Sequence, residues 1–154
     1  MANQFIPYGR QHITQTDIDS VVAVLQSDFL TQGSQVPAFE ERVATYTGAK
    51  FGVAVNSATS ALHIACLALG LGQGEKGKDD WLWTTPITFT ASANCGLYCG
   101  ANIDFVDIDP LTLNMSVEAL EAKLKVAKAE NRLPKIVIPV HFTGEPCDMA
   151  AIHA

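Results

Sequence analysis

The sequence predicts an α/β fold with a mostly parallel sheet and helices on its faces. From Phe51 onward, short apolar runs alternate with stretches of helical periodicity. Apolar residues make up 48% of the 154 positions and charged residues 17%, which is a globular composition and not a disordered one. Alternating strands and helices favour parallel strands joined by right-handed crossovers. Ligands bind such sheets beyond the carboxyl ends of their strands, so the loops there are the ones to inspect.

The first fifty residues predict two helices separated by a turn over residues 30–33. Thr14, followed three residues later by Asp17, predicts the N-cap of the first helix. Ser34 predicts the cap of the second helix, and Gly48 predicts its end. The expected inner faces are apolar positions at helical spacing: Ile18, Val21, Val22 and Leu25, then Val36, Phe39, Val43 and Tyr46.

Strands and helices alternate in the rest of the chain. The predicted strands cover residues 51–55, 81–84, 103–106 and 135–140. The predicted helices cover residues 58–69, 88–99 and 116–130, and a last one opens at Asp148. Their buried side is expected at Leu62, Ala65, Cys66, Leu69, Val117, Leu120 and Leu124. Four glycines between residues 70 and 77 and the charged residues 75–80 predict a mobile, solvated loop.

Charge, hydropathy and cysteine spacing argue against several classes of function. A net charge of −6 makes a nucleic-acid backbone an unsuitable partner. No stretch approaches the roughly 20 apolar residues of a membrane span, and the N-terminus has no signal-peptide run, so a cytoplasmic protein is expected. Cys95 and Cys99 have C-x3-C spacing without a second pair, which does not fit a zinc site. We expect the four cysteines to be buried free thiols, with no metal.

Two loops that leave predicted strands have small, hydroxyl-bearing residues. Residues 56–60 enter a helix N-terminus, whose free N–H groups and dipole suit a phosphate. Ser57 and Thr59 would add hydroxyl donors there; the simpler interpretation is that one of them only caps the helix. In the loop over residues 84–92, Phe89 either stacks on a flat ligand or belongs to the core.

The two remaining loops contain acidic residues and a histidine. Asp107 and Asp109 either bind a cation or a ligand hydroxyl, or form an Asx turn. His141 lies just past a strand end, where a ligand would bind, yet a single histidine is more often a hydrogen-bonded structural residue. Asp148 is most simply an N-cap. The chain contains none of the sequence motifs of a P-loop, a Rossmann dinucleotide site or a nucleophile elbow.

Six segments in order connect the sequence to a known family. They are Leu30–Gly33, Phe39–Glu40, Val55–His63, Pro86–Asn94, Phe105–Asp109 and Pro139–Gly144. Together they resemble the DegT/DnrJ/EryC1/StrS aminotransferases, which use pyridoxal 5'-phosphate (PLP) and have the aspartate-aminotransferase fold, fold type I. The resemblance implies that residues 1–154 are the N-terminal part of the PLP-binding large domain. Residues 6–11, 30–33 and 91–95 look most like the enzymes that aminate a 4-keto UDP-sugar on the way to pseudaminic acid.

The resemblance also implies roles for individual residues. Phe89 would stack on the pyridine ring of PLP, and His141 would line the pocket near the cofactor. The implied phosphate ligands are Ser57, Ala58 and Thr59. The implied neighbours of the substrate sugar are Thr31, Gln32 and Gly33. The implied partners are a UDP-sugar and an amino-acid donor, expected to be glutamate, with a homodimer as the intact enzyme.

Such chemistry needs groups that the resemblance puts beyond Ala154. A lysine amine forms the resting imine with PLP, and an aspartate on the pyridinium nitrogen keeps the ring an electron sink. No catalytic residue is therefore assigned, the C-terminal small domain is expected to be absent, and the 154 residues alone are expected not to transaminate. Two alternatives stay open. One is a non-catalytic phosphate- or nucleotide-binding domain that uses residues 56–60; the other is a structural α/β fragment that self-associates through an apolar sheet edge.

Overall fold

The computed structural model describes residues 9–74, 77 and 79–154, which form two compact units. The first unit ends at Ala54, and the second runs from Val55 to Ala154. Residues 6–8 of the opening motif, and Glu75, Lys76 and Lys78 of the charged loop, lie outside the described residues. Within the described ranges, no helix is long and apolar enough to cross a membrane.

The first unit contains helices α1 (Gln15–Leu25) and α2 (Gln35–Thr47). The predicted cap at Thr14 is confirmed as a capping box, because Thr14 N–H donates to the Asp17 carboxylate at 2.7 Å and Asp17 N–H donates back to the Thr14 hydroxyl. Gly48 ends α2 with a left-handed φ of 73°, as predicted. Ser34 occupies the N-cap position of α2, but its backbone is helical and its side chain caps nothing.

The apolar faces of α1 and α2 are exposed, which corrects the prediction that they form inner faces. In α2 the buried residue is Ala44, whereas the four predicted core residues are all exposed: Val36, Phe39, Val43 and Tyr46. The predicted face of α1 is exposed in the same way at Ile18, Val21, Val22 and Leu25. The periodicity correctly located the helices but not the burial of these faces.

The second unit is built on a three-stranded parallel sheet, as the alternation of elements predicts. Its strands are β1 (Trp81–Thr84), β2 (Asn102–Phe105) and β3 (Ile136–Val137), in the order β2-β1-β3. Both neighbours pair with β1 in parallel. β3 is shorter than the predicted strand 135–140. The Ile138 N–H still donates to the Trp83 carbonyl at 2.8 Å, but Pro139 has no N–H with which to continue the ladder.

The strand predicted at residues 51–55 is not found. Phe51 and Val53 are exposed, and no described strand pairs with this segment. The Ala54 N–H donates at 2.8 Å to the Glu40 carboxylate of α2, within the first unit. Continuous apolar character indicates a strand only where a neighbouring strand satisfies the backbone, and here a side chain accepts from it instead.

Helices α3 (Ala58–Ala68), α4 (Ala91–Tyr98), α5 (Val117–Ala129) and α6 (Met149–His153) complete the second unit. Ser116 caps α5 through the Ala119 N–H, and Asp148 caps α6 through the Ala151 N–H, both as predicted. α4 begins at Ala91 and not at residue 88, since the segment after Pro86 forms bends before the helix starts.

The core lies on both faces of the sheet, because neighbouring residues of a strand point to opposite sides. Leu82 packs on one face with Cys66, Leu71, Cys95 and Ala101. Trp83 packs on the other face with Val106, Met115, Leu120 and Ala127. In α3 and α5 the predicted burial of Cys66 and Leu120 is confirmed, and Leu62, Val117 and Leu124 are half-buried. Ala65 and Leu69 are exposed instead of buried.

The loop from Gly70 to Asp80 is better packed at its described residues than a mobile, solvated loop would be. Leu71 is fully buried. Gly72 N–H donates to the Asp80 carboxylate at 2.9 Å, and a Cβ on Gly72 would lie 1.7 Å from the Cys99 carbonyl oxygen. The prediction of a solvated charge at Asp80 is therefore wrong, since packing against α4 and a hydrogen bond hold this part of the loop.

Candidate functional site

The loops that follow the three strands lie at one edge of the sheet, because parallel strands end on the same side. β1 leads into residues 85–90, β2 leads into residues 106–116, and β3 leads into residues 138–148. Thr84 joins two of these ends, since its hydroxyl donates to the Ile138 carbonyl at 3.0 Å. This carboxyl edge is where an α/β sheet presents a ligand site.

The N-termini of α3 and α4 both point toward the carboxyl edge. Their C-terminal ends are held at the opposite edge: Lys135 Nζ donates to the Gly70 carbonyl beyond α3 at 2.6 Å, and the Asn102 N–H beyond α4 donates to the Asp80 carbonyl at 2.8 Å. The two helices pack against each other, with the His63 and Tyr98 rings in edge contact at 5.4 Å. Each helix therefore runs from the carboxyl edge, where its free N–H groups lie.

Ser57 is the N-cap of α3, and its role as a phosphate ligand stays a prediction. Its backbone is extended, and its hydroxyl accepts from the Ser60 N–H at 3.1 Å. The Ser60 hydroxyl in turn donates to the Asn56 side chain at 2.8 Å. The first N–H groups of the helix, at Ala58 and Thr59, have no acceptor within the helix because they belong to its first turn. The corner thus has a fixed shape and donors available to an anion.

Phe89 is 75% exposed, so the alternative that it belongs to the core is wrong. The segment around it is held by hydrogen bonds of three hydroxyl groups. Thr85 donates to the Ile87 carbonyl at 3.1 Å, and the Thr88 and Ser92 hydroxyls lie 2.8 Å apart. These bonds fix the backbone on both sides of Phe89 and leave its ring outside the core. An exposed aromatic ring on a fixed turn can stack on a planar ligand.

Asp109 forms the Asx turn that was the simpler interpretation of the acidic pair. One carboxylate oxygen accepts from the Leu111 and Thr112 N–H groups, each at 2.8 Å. The hydrogen bond from the Thr112 N–H, followed by that from the Leu111 N–H, lowers the pKa of Asp109. Asp107 accepts from the Ile108 N–H at 2.8 Å. Both carboxylates therefore accept from nearby backbone, and Asp109 does so from the N–H two residues on, as an Asx turn requires.

His141 is hydrogen-bonded within its own loop, as the structural interpretation predicts. Its Nδ1 accepts from the Cys147 N–H at 3.0 Å. The Cys147 thiol is buried and donates to the Val140 carbonyl at 3.2 Å. The side chain of His141 is nevertheless exposed, and it follows β3 at the carboxyl edge. A structural bond on one ring nitrogen does not prevent contact with a ligand through the other.

Asn114 is a residue of this edge that the sequence did not reveal. Its side chain is 4% exposed, and it donates to the Glu145 carbonyl at 3.0 Å and accepts from the Phe142 N–H at 2.9 Å. An asparagine flanked by Leu113 and Met115 has no pattern that points to such a contact. The partners lie about thirty residues away, and only the fold brings them together.

The residues proposed near a sugar, Thr31, Gln32 and Gly33, lie in the first unit. Gln32 has a left-handed φ of 55°, which gives this turn its shape. Gln32 and Gly33 border a cleft of about 620 Å³ between the end of α1 and the start of α2. Ser27, Phe29, Ser34 and Gln35 also line it. Thr31 is exposed, and it lies in sequence between two residues that line the cleft, Leu30 and Gln32.

The cysteines and lysines have structural surroundings. All four cysteines are free; Cys66, Cys95 and Cys147 are buried as predicted, and Cys99 is half-buried. Among the described residues, no group of three His, Cys, Asp or Glu side chains could hold a metal ion. Lys123 pairs with Asp104 at 2.8 Å. Lys125 pairs with Glu121 on the surface of α5. Lys135 pairs with Asp80 at the edge opposite the candidate site.

Comparison with models of protein families shows which family the chain belongs to. The model of the DegT/DnrJ/EryC1/StrS aminotransferase family matches residues 11–154. The chain belongs to the DegT/DnrJ/EryC1/StrS aminotransferase family. This confirms the resemblance found in the six sequence segments, and it confirms that the α/β unit is part of an aminotransferase fold.

Individual members of the family show the same relationship. The chain is 43% identical over 147 residues to a UDP-4-amino-4,6-dideoxy-N-acetyl-beta-L-altrosamine transaminase of Campylobacter jejuni, covering 96% of this chain and 36% of that protein. The sugar aminotransferase Spr1654 of Streptococcus pneumoniae superposes with a TM-score of 0.81 and 31% identity, over 96% of this chain and 35% of that one. The aminotransferase PseC of Helicobacter pylori is involved in the biosynthesis of pseudoaminic acid. It superposes with a TM-score of 0.79 and 29% sequence identity, over 95% of this chain and 37% of that one.

The chain spans about a third of the length of the relatives it matches. Family members depend on PLP, and Spr1654 is known in both PLP and pyridoxamine-phosphate forms. The described residues fit the two ends of that cofactor. The α3 N-terminus with its hydroxyls suits a phosphate, and the exposed Phe89 suits an aromatic ring. Lys123, Lys125 and Lys135 are engaged in the ion pairs given above.

Proposed function

We propose that this chain supplies the phosphate-binding corner and the ring-stacking aromatic of a PLP-dependent transaminase that acts on a 4-keto UDP-sugar. The phosphate would bind the N-terminus of α3 at Ser57, Ala58 and Thr59. The pyridine ring would lie against Phe89, with His141 at its side. Thr31, Gln32 and Gly33 would contact the sugar.

The observation that supports this proposal most directly is the orientation of α3 and α4. Both helices begin at the carboxyl edge, one with a capped corner of small hydroxyl residues and the other next to an exposed aromatic ring. A bound cofactor supplies an electron sink for the transfer of an amino group. The chain's own residues would bind its phosphate, fix the plane of its ring and exclude water from one face.

The substrate class and donor rest on the family relationship. The Campylobacter relative is named for a UDP-sugar and PseC for pseudoaminic acid biosynthesis, so we propose that the same class of 4-keto UDP-sugar is aminated, with glutamate as donor. A homodimer as the intact enzyme and a cytoplasmic location remain part of the proposal. They rest on the resemblance and on the sequence.

Pyridoxamine phosphate is the sharpest probe of this proposal, because its amine forms no imine with surface lysines. We expect the purified chain to retain pyridoxamine phosphate through gel filtration and to lose pyridoxamine, which has the same ring and no phosphate. Equal retention of the two compounds, or retention of neither, would contradict a phosphate site at α3.

Activity is tested separately. The chain mixed with PLP, glutamate and a 4-keto UDP-sugar is expected to give no product above a no-protein control, because the imine lysine and the pyridinium aspartate are proposed to lie outside residues 1–154. Amino-sugar product would refute that part of the proposal. Retention of pyridoxamine phosphate without any product would also fit the non-catalytic phosphate-binding alternative. The two are then separated by joining residues 1–154 to the part of the Spr1654 chain that they do not match, which only the transaminase proposal expects to give activity.

A further inference from the structure

A buried asparagine spans the turn that follows His141. The 142–145 turn is tight, since Thr143 has a φ of 55° and Gly144 a φ of 89°. Asn114 accepts from the N–H at the start of this turn, that of Phe142, and donates to the carbonyl at its end, that of Glu145. One side-chain amide therefore fixes both ends of the turn with its acceptor and its donor.

Asn114 itself is held rigidly by the chain around it. Its carbonyl accepts from the Asp109 N–H at 2.8 Å, and its N–H donates to the Thr112 hydroxyl at 3.3 Å. The neighbouring Met115 forms an antiparallel bridge with Ile108 and is part of the core. The 107–116 loop thus supplies a fixed support against which the 142–145 turn is held.

The turn leads directly to Cys147, whose N–H forms the hydrogen bond that determines the tautomer of His141. The Cys147 N–H donates to Nδ1 of His141 at 3.0 Å. The Cys147 thiol donates to the Val140 carbonyl and so fixes the same segment. A backbone N–H can only donate, so Nδ1 must have a lone pair facing it. In a neutral imidazole the proton then resides on Nε2. A proton on Nδ1 would place two hydrogens between the two nitrogens.

We propose that Asn114 is a positioning residue, which acts through the 142–147 turn to hold His141 as a neutral hydrogen-bond donor at the carboxyl edge of the sheet. His141 would then donate from Nε2 to an oxygen of the bound ligand. The role of His141 as a donor to the ligand rests on the proposed function. The tautomer of His141 follows from the hydrogen bond to Cys147 alone.

Nitrogen NMR of the imidazole rings tests the tautomer in the ligand-free chain. Histidine labelled with ¹⁵N separates a ring that is protonated on Nε2 from one that is protonated on Nδ1 or on both. His141→Gln identifies the signal among the four histidines. We expect an unprotonated Nδ1 and a protonated Nε2 at neutral pH. A wild-type His141 with a proton on Nδ1 overturns the proposal, whatever the variants do.

Asn114→Asp tests the positioning step with the smallest possible change. The carboxylate keeps an acceptor for the Phe142 N–H but removes the donor to the Glu145 carbonyl. The matched control is Asn131→Asp, the same substitution at an exposed position after α5. We expect the His141 ring in Asn114→Asp to become a mixture of tautomers while the control keeps the wild-type pattern. An unchanged His141 signal in Asn114→Asp overturns the positioning role.

Ligand binding separates this inference from the proposed function. If Asn114 acts through His141, Asn114→Asp should weaken pyridoxamine phosphate binding by roughly the tenfold that the loss of one hydrogen bond allows, and adding His141→Phe should weaken it no further. Additive losses in the double variant contradict the proposal. If the chain binds no pyridoxamine phosphate at all, the proposed function fails, and the NMR result still decides the tautomer. Should Asn114→Asp not fold, Asn114→Ser provides the same comparison.

Discussion

Asp80 and Lys135 form an ion pair of 3.0 Å across the starts of two neighbouring strands, at the edge of the sheet opposite the candidate site. Asp80 also accepts from the Gly72 N–H, and Lys135 also donates to the Gly70 carbonyl. The pair therefore joins the loop after α3 to β1 and β3. Because α3 is held in this way at its end, its N-terminus keeps a fixed position relative to the sheet.

Removing the charge of Asp80 should lower the free energy of unfolding more than removing the charge of an exposed carboxylate. In Asp80→Asn we expect the free energy of unfolding in urea to fall by about 1–2 kcal/mol, because the half-buried Gly72 N–H and the Lys135 ammonium lose a charged acceptor. The control is Glu121→Gln, which removes the acceptor of Lys125 in an exposed pair on α5 and should change stability little. Equal effects of the two substitutions would mean that the Asp80 pair has no special role.

The same pair makes stability depend on pH in a defined direction. Burial raises the pKa of Asp80, but the Gly72 N–H and Lys135 together outweigh it, so the pKa lies below its usual 3.8. A carboxyl group with a lowered pKa stabilises the fold above about pH 4, and this contribution is lost as pH falls through the lowered value. We expect the stability difference between wild type and Asp80→Asn to be constant from pH 5 to 7 and to shrink below pH 4, as urea midpoints would show. A difference that grows in acid would reverse the sign of the linkage.

Gly72 and Gly100 form a matched pair for testing the packing of α4 against the loop. Their φ angles are 71° and 77°, so alanine meets similar backbone strain at both. A Cβ at Gly72 would lie 1.7 Å from the Cys99 carbonyl oxygen, whereas nothing lies within 4 Å of one at Gly100. We expect Gly100→Ala to cost about 1 kcal/mol and Gly72→Ala about 3 kcal/mol or more, measured by thermal and urea unfolding. Similar losses would show that the loop relaxes away from α4.

Local chemistry made much of the second unit predictable. β1 was predicted from its short apolar run, and α5 and α6 from the caps at Ser116 and Asp148, because a cap depends only on the next three residues. The strand predicted at residues 51–55 is not found, since pairing depends on distant partners that a run of apolar residues does not identify. Leu71 was missed for a related reason, because its burial requires the close approach of Gly72 to Cys99.

In the candidate site, too, some features could be predicted from local sequence and others could not. Ser57 comes after an apolar run and opens a helix, so both its place and its capping bond follow from neighbouring residues. The bonds of Asn114 and of His141 do not, because their partners are defined by how two loops meet at the carboxyl edge. A helix terminus is thus predictable from local sequence, whereas a side-chain bond between loops is not.

Burial should make the Cys66 thiol slower to react than the Cys99 thiol. Burial, and then the neighbouring Cys95, raise the pKa of the Cys66 thiol to about 12, and burial also raises that of the half-exposed Cys99. Little thiolate forms at neutral pH at either position. We expect iodoacetamide to label Cys99 before Cys66 in the folded chain, with Cys66 labelled only on unfolding in urea, as followed by peptide mass spectrometry. Rapid labelling of Cys66 in native buffer would contradict its packing against α4.

Phe89 offers the cleanest separation of binding from stability. Its ring is 75% exposed, so Phe89→Ala should leave the urea midpoint nearly unchanged. If the ring stacks on the cofactor, the same substitution should weaken pyridoxamine phosphate binding up to about tenfold, as expected from the loss of one aromatic pair. Phe89→Trp should restore most of the affinity, since it keeps a planar aromatic face. Leu111→Ala, at a residue 91% exposed, is the control for removing an apolar side chain from the surface. Loss of affinity in Leu111→Ala, or full affinity in Phe89→Ala, would remove Phe89 from the proposed site.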